Sequence, residues 1–194
     1  VGSEMCIRDR LQNPNIYNYI KDSMINGKVC RFNKPTISVF ISEISANMPI
    51  SVKQNYTEIV KSATEIWNKF SPAKFVITNS PNSADIVVNW VKVGIKYEGM
   101  CKFRSIVASE IKAITIEIGL PNPNSPKIIT DETILHSALH EFGHALGLGH
   151  GTCPDDLMFV PHQKTLKIPS ANDLEVLTIL YSNPVGTPLS QIKQ

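Results

Sequence analysis

Residues 140–150 read His-Glu-Phe-Gly-His-Ala-Leu-Gly-Leu-Gly-His, the uninterrupted pattern H-E-x-x-H-x-x-G-x-x-H. This string dictates a local fold and a chemistry together. On an α-helix, residues four apart share a face, so His140 and His144 project side by side and can grip one ion. Glu141 follows the first histidine, where its carboxylate can reach a water at the ion without ligating the metal. Gly147 can take the left-handed conformation that ends a helix. The chain then turns away and His150 can swing back as a third nitrogen ligand. Three neutral imidazoles with a fourth position left open are the pattern of a catalytic zinc, a single Zn2+, and not of a structural one. A bare H-E-x-x-H arises by chance in many helices; the glycine and the third histidine make the longer string far more specific.

Met158 lies eight residues after His150, in Asp-Asp-Leu-Met-Phe. Alone it would be read as a core filler; its spacing gives it weight. With it the chain resembles the metzincin metallopeptidases, in which a methionine-containing turn forms the floor beneath the zinc histidines. Within that clan the fit is best to the matrixins. Ala84-Asp85-Ile86-Val87-Val88-Asn89-Trp90 resembles their ADI-x-V-x-W strand, Ala63-Thr64-Glu65-Ile66-Trp67 the end of their first long helix. Ser170-Ala171-Asn172-Asp173-Leu174, with Leu180-Tyr181, resembles their C-terminal helix. The resemblance covers roughly residues 35–183.

What the resemblance implies is an α+β zincin fold. Its twisted five-stranded sheet is mostly parallel with one antiparallel edge strand and packs on two long helices; a small C-terminal subdomain holds the methionine turn and a final helix. It implies a zinc-dependent endopeptidase acting on proteins or peptides. His140, His144 and His150 would hold the metal, Glu141 would be general base, and Met158 would lie beneath them. Phe159, Val160, Pro161 and His162, in the loop after the methionine, are candidates for lining the substrate cleft, although a loop histidine is more often simply solvated. The edge strand would pair with bound peptide through its backbone. Secretion, or a place in the cell envelope or periplasm, and a monomeric state follow from the family alone.

The departures are specific. Gly151 stands where matrixins often carry Ser or Thr, and Val160 excludes the tyrosine that ligates zinc in some other metzincins. Asn172 replaces the first of two adjacent acids. No histidine lies between Trp90 and Pro126, so the second, structural zinc of animal matrixins is expected to be missing. No oxygen-rich loop of recognisable spacing argues for calcium. His136, one turn before His140, is read as a packed or solvated residue because the ligand set is already complete.

Cysteines are few: Cys6, Cys30, Cys101 and Cys153. None has zinc-knuckle spacing. If one disulfide forms outside the first ten residues, Cys101–Cys153 is the pair to test first. Cys30 lacks the flanks of the cysteine that caps the metal in latent matrixins, so no such switch is expected. The net charge of +2 is small and spread, which argues against a nucleic-acid or membrane surface. No apolar run is long enough to span a bilayer.

The order of the chain follows. VGSEMCIRDR, residues 1–10, resembles translated sequencing adapter and is set aside as a non-native leader, so the lack of a signal peptide says nothing about export. Residues 11–34 are polar and read as a linker or the remnant of a pro-region. A catalytic domain is expected over 35–183 and an unstructured tail over 184–194. Alternation predicts strands at 36–42, 74–78, 86–93 and 113–118, with a short edge strand near 103–108. Helical spacing from Val52 to Phe70 predicts a helix capped by Ser51, and another is expected to begin at Thr130 or Asp131. Ser170, with Asp173 three residues on, predicts the cap of the last helix. Two functions of different class fit this pattern: an active endopeptidase, or a catalytically silent zinc-bearing module that binds peptide. The intact Glu141 favours the first.

Overall fold

A computed structural model of the chain describes residues 13–93, 98–161 and 166–193. Five strands, β1 (Thr36–Ile41), β2 (Lys74–Ile77), β3 (Ile86–Lys92), β4 (Gly99–Val107) and β5 (Glu110–Leu120), form one sheet in the order β2-β1-β3-β5-β4. The β1–β2, β1–β3 and β3–β5 pairs are parallel, and β4 runs antiparallel to β5 at the edge. Beside the sheet lie helices α1 (Pro14–Asp22), α2 (Ile50–Asn68), α3 (Asp131–Ala145) and α4 (Ala171–Ser182). This is the mixed α+β architecture that the resemblance implied.

The sheet forms where β-branched residues run together. Ile86 and Val88 on β3, with Ile114, Ile116 and Ile118 on β5, are buried at the centre. The stripe Tyr56, Val60, Ala63 and Trp67 on α2 is buried at helical spacing. Trp67 reaches across to donate its indole N–H to the Leu139 carbonyl at 2.8 Å, fastening α2 to α3. Leu139, Phe142 and Leu146 are buried, with the Phe142 ring 5.0 Å from that of Phe75 on β2.

Five expectations need correction. Helix α2 starts at Ile50 with Pro49 at its N-cap and no side-chain cap bond, so Ser51 lies inside the first turn. The edge strand begins at Gly99, well before Phe103, because its residues are half-buried or exposed and lack apolar alternation. It joins β5 through Ala108 and Ser109, both at positive φ (50° and 66°), a tight hairpin without the Asn-Gly signature that announces one. The third and fourth concern the ends. Residues 14–32 are folded in: Asn13 caps α1 by accepting from the Asn15 N–H, and Ile16, Tyr19, Ile20, Val29, Cys30 and Phe32 are buried. Residues 186–192 are not loose, since Gly186 N–H donates to the Val29 carbonyl and Leu189 N–H to the Gly27 carbonyl. The i, i+3, i+4 stripe of α1 is hidden among asparagines and lysines, which made the segment read as a linker. Cys30, Cys101 and Cys153 are free thiols, so the Cys101–Cys153 bridge does not form.

Asp85, at the mouth of β3, shows how the strand order is pinned. Its carboxylate accepts from the Lys34 ammonium, from Ser38 N–H at 2.7 Å and from Ser38 Oγ at 2.8 Å. Burial pushes this carboxyl up, but the Lys34 and Ser38 bonds outweigh it and leave the group below its ordinary value. A depressed folded-state pKa contributes stability above the unfolded value, and that contribution is lost as pH falls through the folded value. Asp85→Asn should therefore cost about 1–2 kcal/mol at pH 7 and less at pH 3. Urea unfolding at both pH values checks this; an equal cost at both would contradict it.

Candidate metal centre

Helix α3 carries the first half of the site. Thr130 caps it by accepting from the Thr133 N–H, and Asp131 and Glu132 sit at its positive end. It ends as the sequence predicts. Gly147 has φ 101°, Gly147 N–H donates to the His144 carbonyl and Leu148 N–H to the Gly143 carbonyl. These two bonds close a Schellman turn. A side chain at Gly147 would also press on the Cys30 carbonyl, 3.0 Å from the position of its Cβ. The reversal brings His150 back toward the helix.

The three histidines converge. One ring nitrogen from each of His140, His144 and His150 lies within 4.8 Å of the others, and this is the group among the described residues able to hold a metal ion. His144 stands edge-on to both neighbours, with ring centroids 4.7 Å from His140 and 5.0 Å from His150. The Nδ1 atoms of His140 and His144 face the Leu157 and Leu148 carbonyls at 3.2 and 2.8 Å. That leaves Nε2 of each ring for a ligand. Burial pushes the His144 ring down to about 4, against the Leu148 carbonyl, so it is neutral at pH 7 with a lone pair to give. Three converging imidazoles fit a nitrogen-preferring cation, zinc foremost. His136 is buried, with its Nδ1 at the Leu166 carbonyl and its ring 6.3 Å from His140, outside the cluster.

Glu141 is buried against the edge strand. A Cβ built on Gly99 would stand 2.9 Å from Glu141 Oε1, so glycine at 99 lets β4 lie close against this carboxyl. Burial pushes the group up to about 8, partly offset by a hydrogen bond from the Cys101 backbone N–H. A carboxyl titrating near neutrality suits one that must take and return a proton, and a cation in the triad would favour its ionised form.

Beneath the helix lies Met158, fully buried. A Cβ on Gly143 would meet Met158 Sδ at 2.3 Å, so the thioether presses directly on the helix backbone between the two paired histidines. Its turn is held by Asp173 of α4, whose carboxylate accepts from Leu157 N–H at 2.8 Å, Met158 N–H at 3.4 Å and the Tyr19 hydroxyl at 2.7 Å. The predicted capping box at Ser170 and Asp173 is present in full. Asp156 accepts from Thr152 N–H, Cys153 N–H, Ser170 Oγ and Asn172 Nδ2. Gly151 lies so close to it that a Cβ would meet the Asp156 Cβ at 2.5 Å, a steric reason for glycine after the third histidine. Phe159 is half-buried, and Val160 and Pro161 are exposed; His162 lies outside the described residues.

With this geometry in place, sequence comparison adds a likeness to known proteins. The Matrixin family model matches residues 124–182, the stretch that holds all three histidines, Glu141, Met158 and the whole of α4. Over that stretch the chain is similar to the matrixins. Karilysin of Tannerella forsythia is 24% identical to it over 172 residues, covering 74% of this chain. The chain spans 31% of that relative's length. No helix among the described residues of this matrixin-like chain is long and apolar enough to cross a membrane. Asp22, Ser23, Tyr19, Asp156 and the Gly99–Cys101 backbone border the centre and carry no motif; only the glycine at 99 hints at a close approach.

Proposed function

We propose that this protein is a zinc-dependent endopeptidase. The observation that carries the proposal is the convergence of His140, His144 and His150 with a buried carboxyl on the residue after the first of them. Zinc bound there supplies a Lewis acid that acidifies water and polarises the scissile carbonyl. His140, His144 and His150 hold the ion as neutral imidazoles, and Met158 supports the helix turn that carries the first two. Glu141 takes the proton of the attacking water and passes it to the leaving amine. The free edge of β4 is the natural place for an extended peptide to add as a strand. Val160, Pro161 and His162 are proposed to border the cleft beside the metal, and the physiological site of action is proposed to lie outside the cytoplasm, as the kinship suggests.

A quenched-fluorescence peptide library tests the reading. Cleavage is expected, is abolished by a strong chelator, and returns on adding zinc. Cleavage unaffected by complete removal of the metal would contradict it. Mapping the products then gives the residue preferred after the scissile bond.

A further inference from the structure

The third histidine differs from the other two in what its ring faces. His140 and His144 each present Nδ1 to a backbone carbonyl. His150 is half exposed, and its Nδ1 lies 3.6 Å from Oδ2 of Asp22, the last residue of α1. The same Oδ2 accepts the His150 backbone N–H at 2.6 Å. One carboxylate thus bonds the backbone of this residue and lies beside its ring.

The surroundings hold the end of α1 against this loop. Ser23 Oγ donates to the Tyr19 carbonyl and accepts the Gly149 N–H, each at 2.8 Å. Gly149 passes so close to the end of α1 that a Cβ would stand 2.5 Å from the Asp22 carbonyl carbon and 2.6 Å from the Ser23 nitrogen. Thr152 Oγ1 donates to the Asn15 carbonyl at 3.1 Å, and the Tyr19 hydroxyl reaches Asp173. Helix α1 and Ser23 after it therefore hold the 149–152 loop at three points, and Tyr19 bonds Asp173 of α4, which in turn holds the methionine turn. A helix that served only to cover the core would need none of these polar contacts.

We propose that Asp22 is a positioning residue for the metal centre: its carboxylate sets the orientation of the His150 ring, so that Nε2 turns toward His140 and His144. A carboxylate behind a ligating histidine fixes the tautomer and makes the other nitrogen a better donor. The proposal rests on the reading of the triad as a zinc site. It makes the segment before β1 part of the metal site's outer shell.

Zinc affinity, measured by competition against a chromophoric chelator, tests this on the full chain. Asp22→Ala is expected to weaken zinc binding roughly 10- to 100-fold. Asp22→Asn, which can still accept the backbone N–H but carries no charge toward the ring, should lose less. The melting temperature of the metal-free protein should stay within about 2 °C of the parent, because the contact is half exposed. A parent that binds no zinc overturns the reading of the triad and this proposal with it. A parent that binds one equivalent while both variants match its affinity overturns the role of Asp22 alone. So does a loss of affinity matched by a large fall in the metal-free melting temperature, which would make Asp22 a docking residue of α1. Faster peptide cleavage by Asp22→Ala would also overturn it, since the carboxylate would then oppose the site.

Discussion

Glu141→Gln is expected to retain one equivalent of zinc and to lower peptide hydrolysis by roughly a hundred- to ten-thousand-fold, the range supplied by a positioned general base. The substitution keeps the shape of a side chain that is buried against Gly99 and bonded by the Cys101 N–H. It removes only the ability to accept a proton and give it back. The loss should therefore fall on kcat, with peptide binding little changed. Metal analysis and steady-state kinetics on the same preparation separate the outcomes. Undiminished turnover would show that another group takes the proton; loss of the metal would show that Glu141 supports the ion's binding.

The largest effect on stability is expected at Asp173. This carboxylate is fully buried and accepts from Leu157 N–H, Met158 N–H, Ser170 N–H and the Tyr19 hydroxyl. Asparagine offers one acceptor oxygen where the carboxylate offers two, and its amide would meet donors. At least one buried N–H or O–H then goes unmatched, and the charge that draws the others is gone. Asp173→Asn should cost about 2–4 kcal/mol and should loosen the turn beneath the histidines. Denaturant unfolding of the metal-free protein measures the first effect. A cost under about 0.5 kcal/mol, the level of an ordinary surface change, would show that this network is not what secures the methionine turn.

The metal helix was legible because its constraints are local. Two ligands four residues apart need only helical periodicity to meet, and Gly147 announces the reversal that returns His150. The central strands were legible for the same reason, since Ile86, Val88, Ile114, Ile116 and Ile118 carry their burial in their own spacing. What escaped was long-range or unpatterned. Asp22 and His150 are 128 residues apart in sequence, and no spacing rule links a short polar helix to a metal loop. The full extent of β4 escaped because an edge strand buries little and shows no alternation. Its turn at Ala108 and Ser109 takes positive φ without glycine, held by the pairing on either side. Gly151, which looked like a mere departure from the family, acquires a cause only when Asp156 is found against it.

The most direct test of the account is to titrate zinc into the metal-free protein while following both metal uptake and peptide cleavage. The histidine triad and Glu141 together predict that cleavage rises in proportion to bound zinc and levels off at about one equivalent, the capacity of a single three-histidine site. Uptake of one equivalent with no cleavage of any peptide in the library would contradict the enzymatic reading and leave a zinc-bearing peptide-binding module in its place.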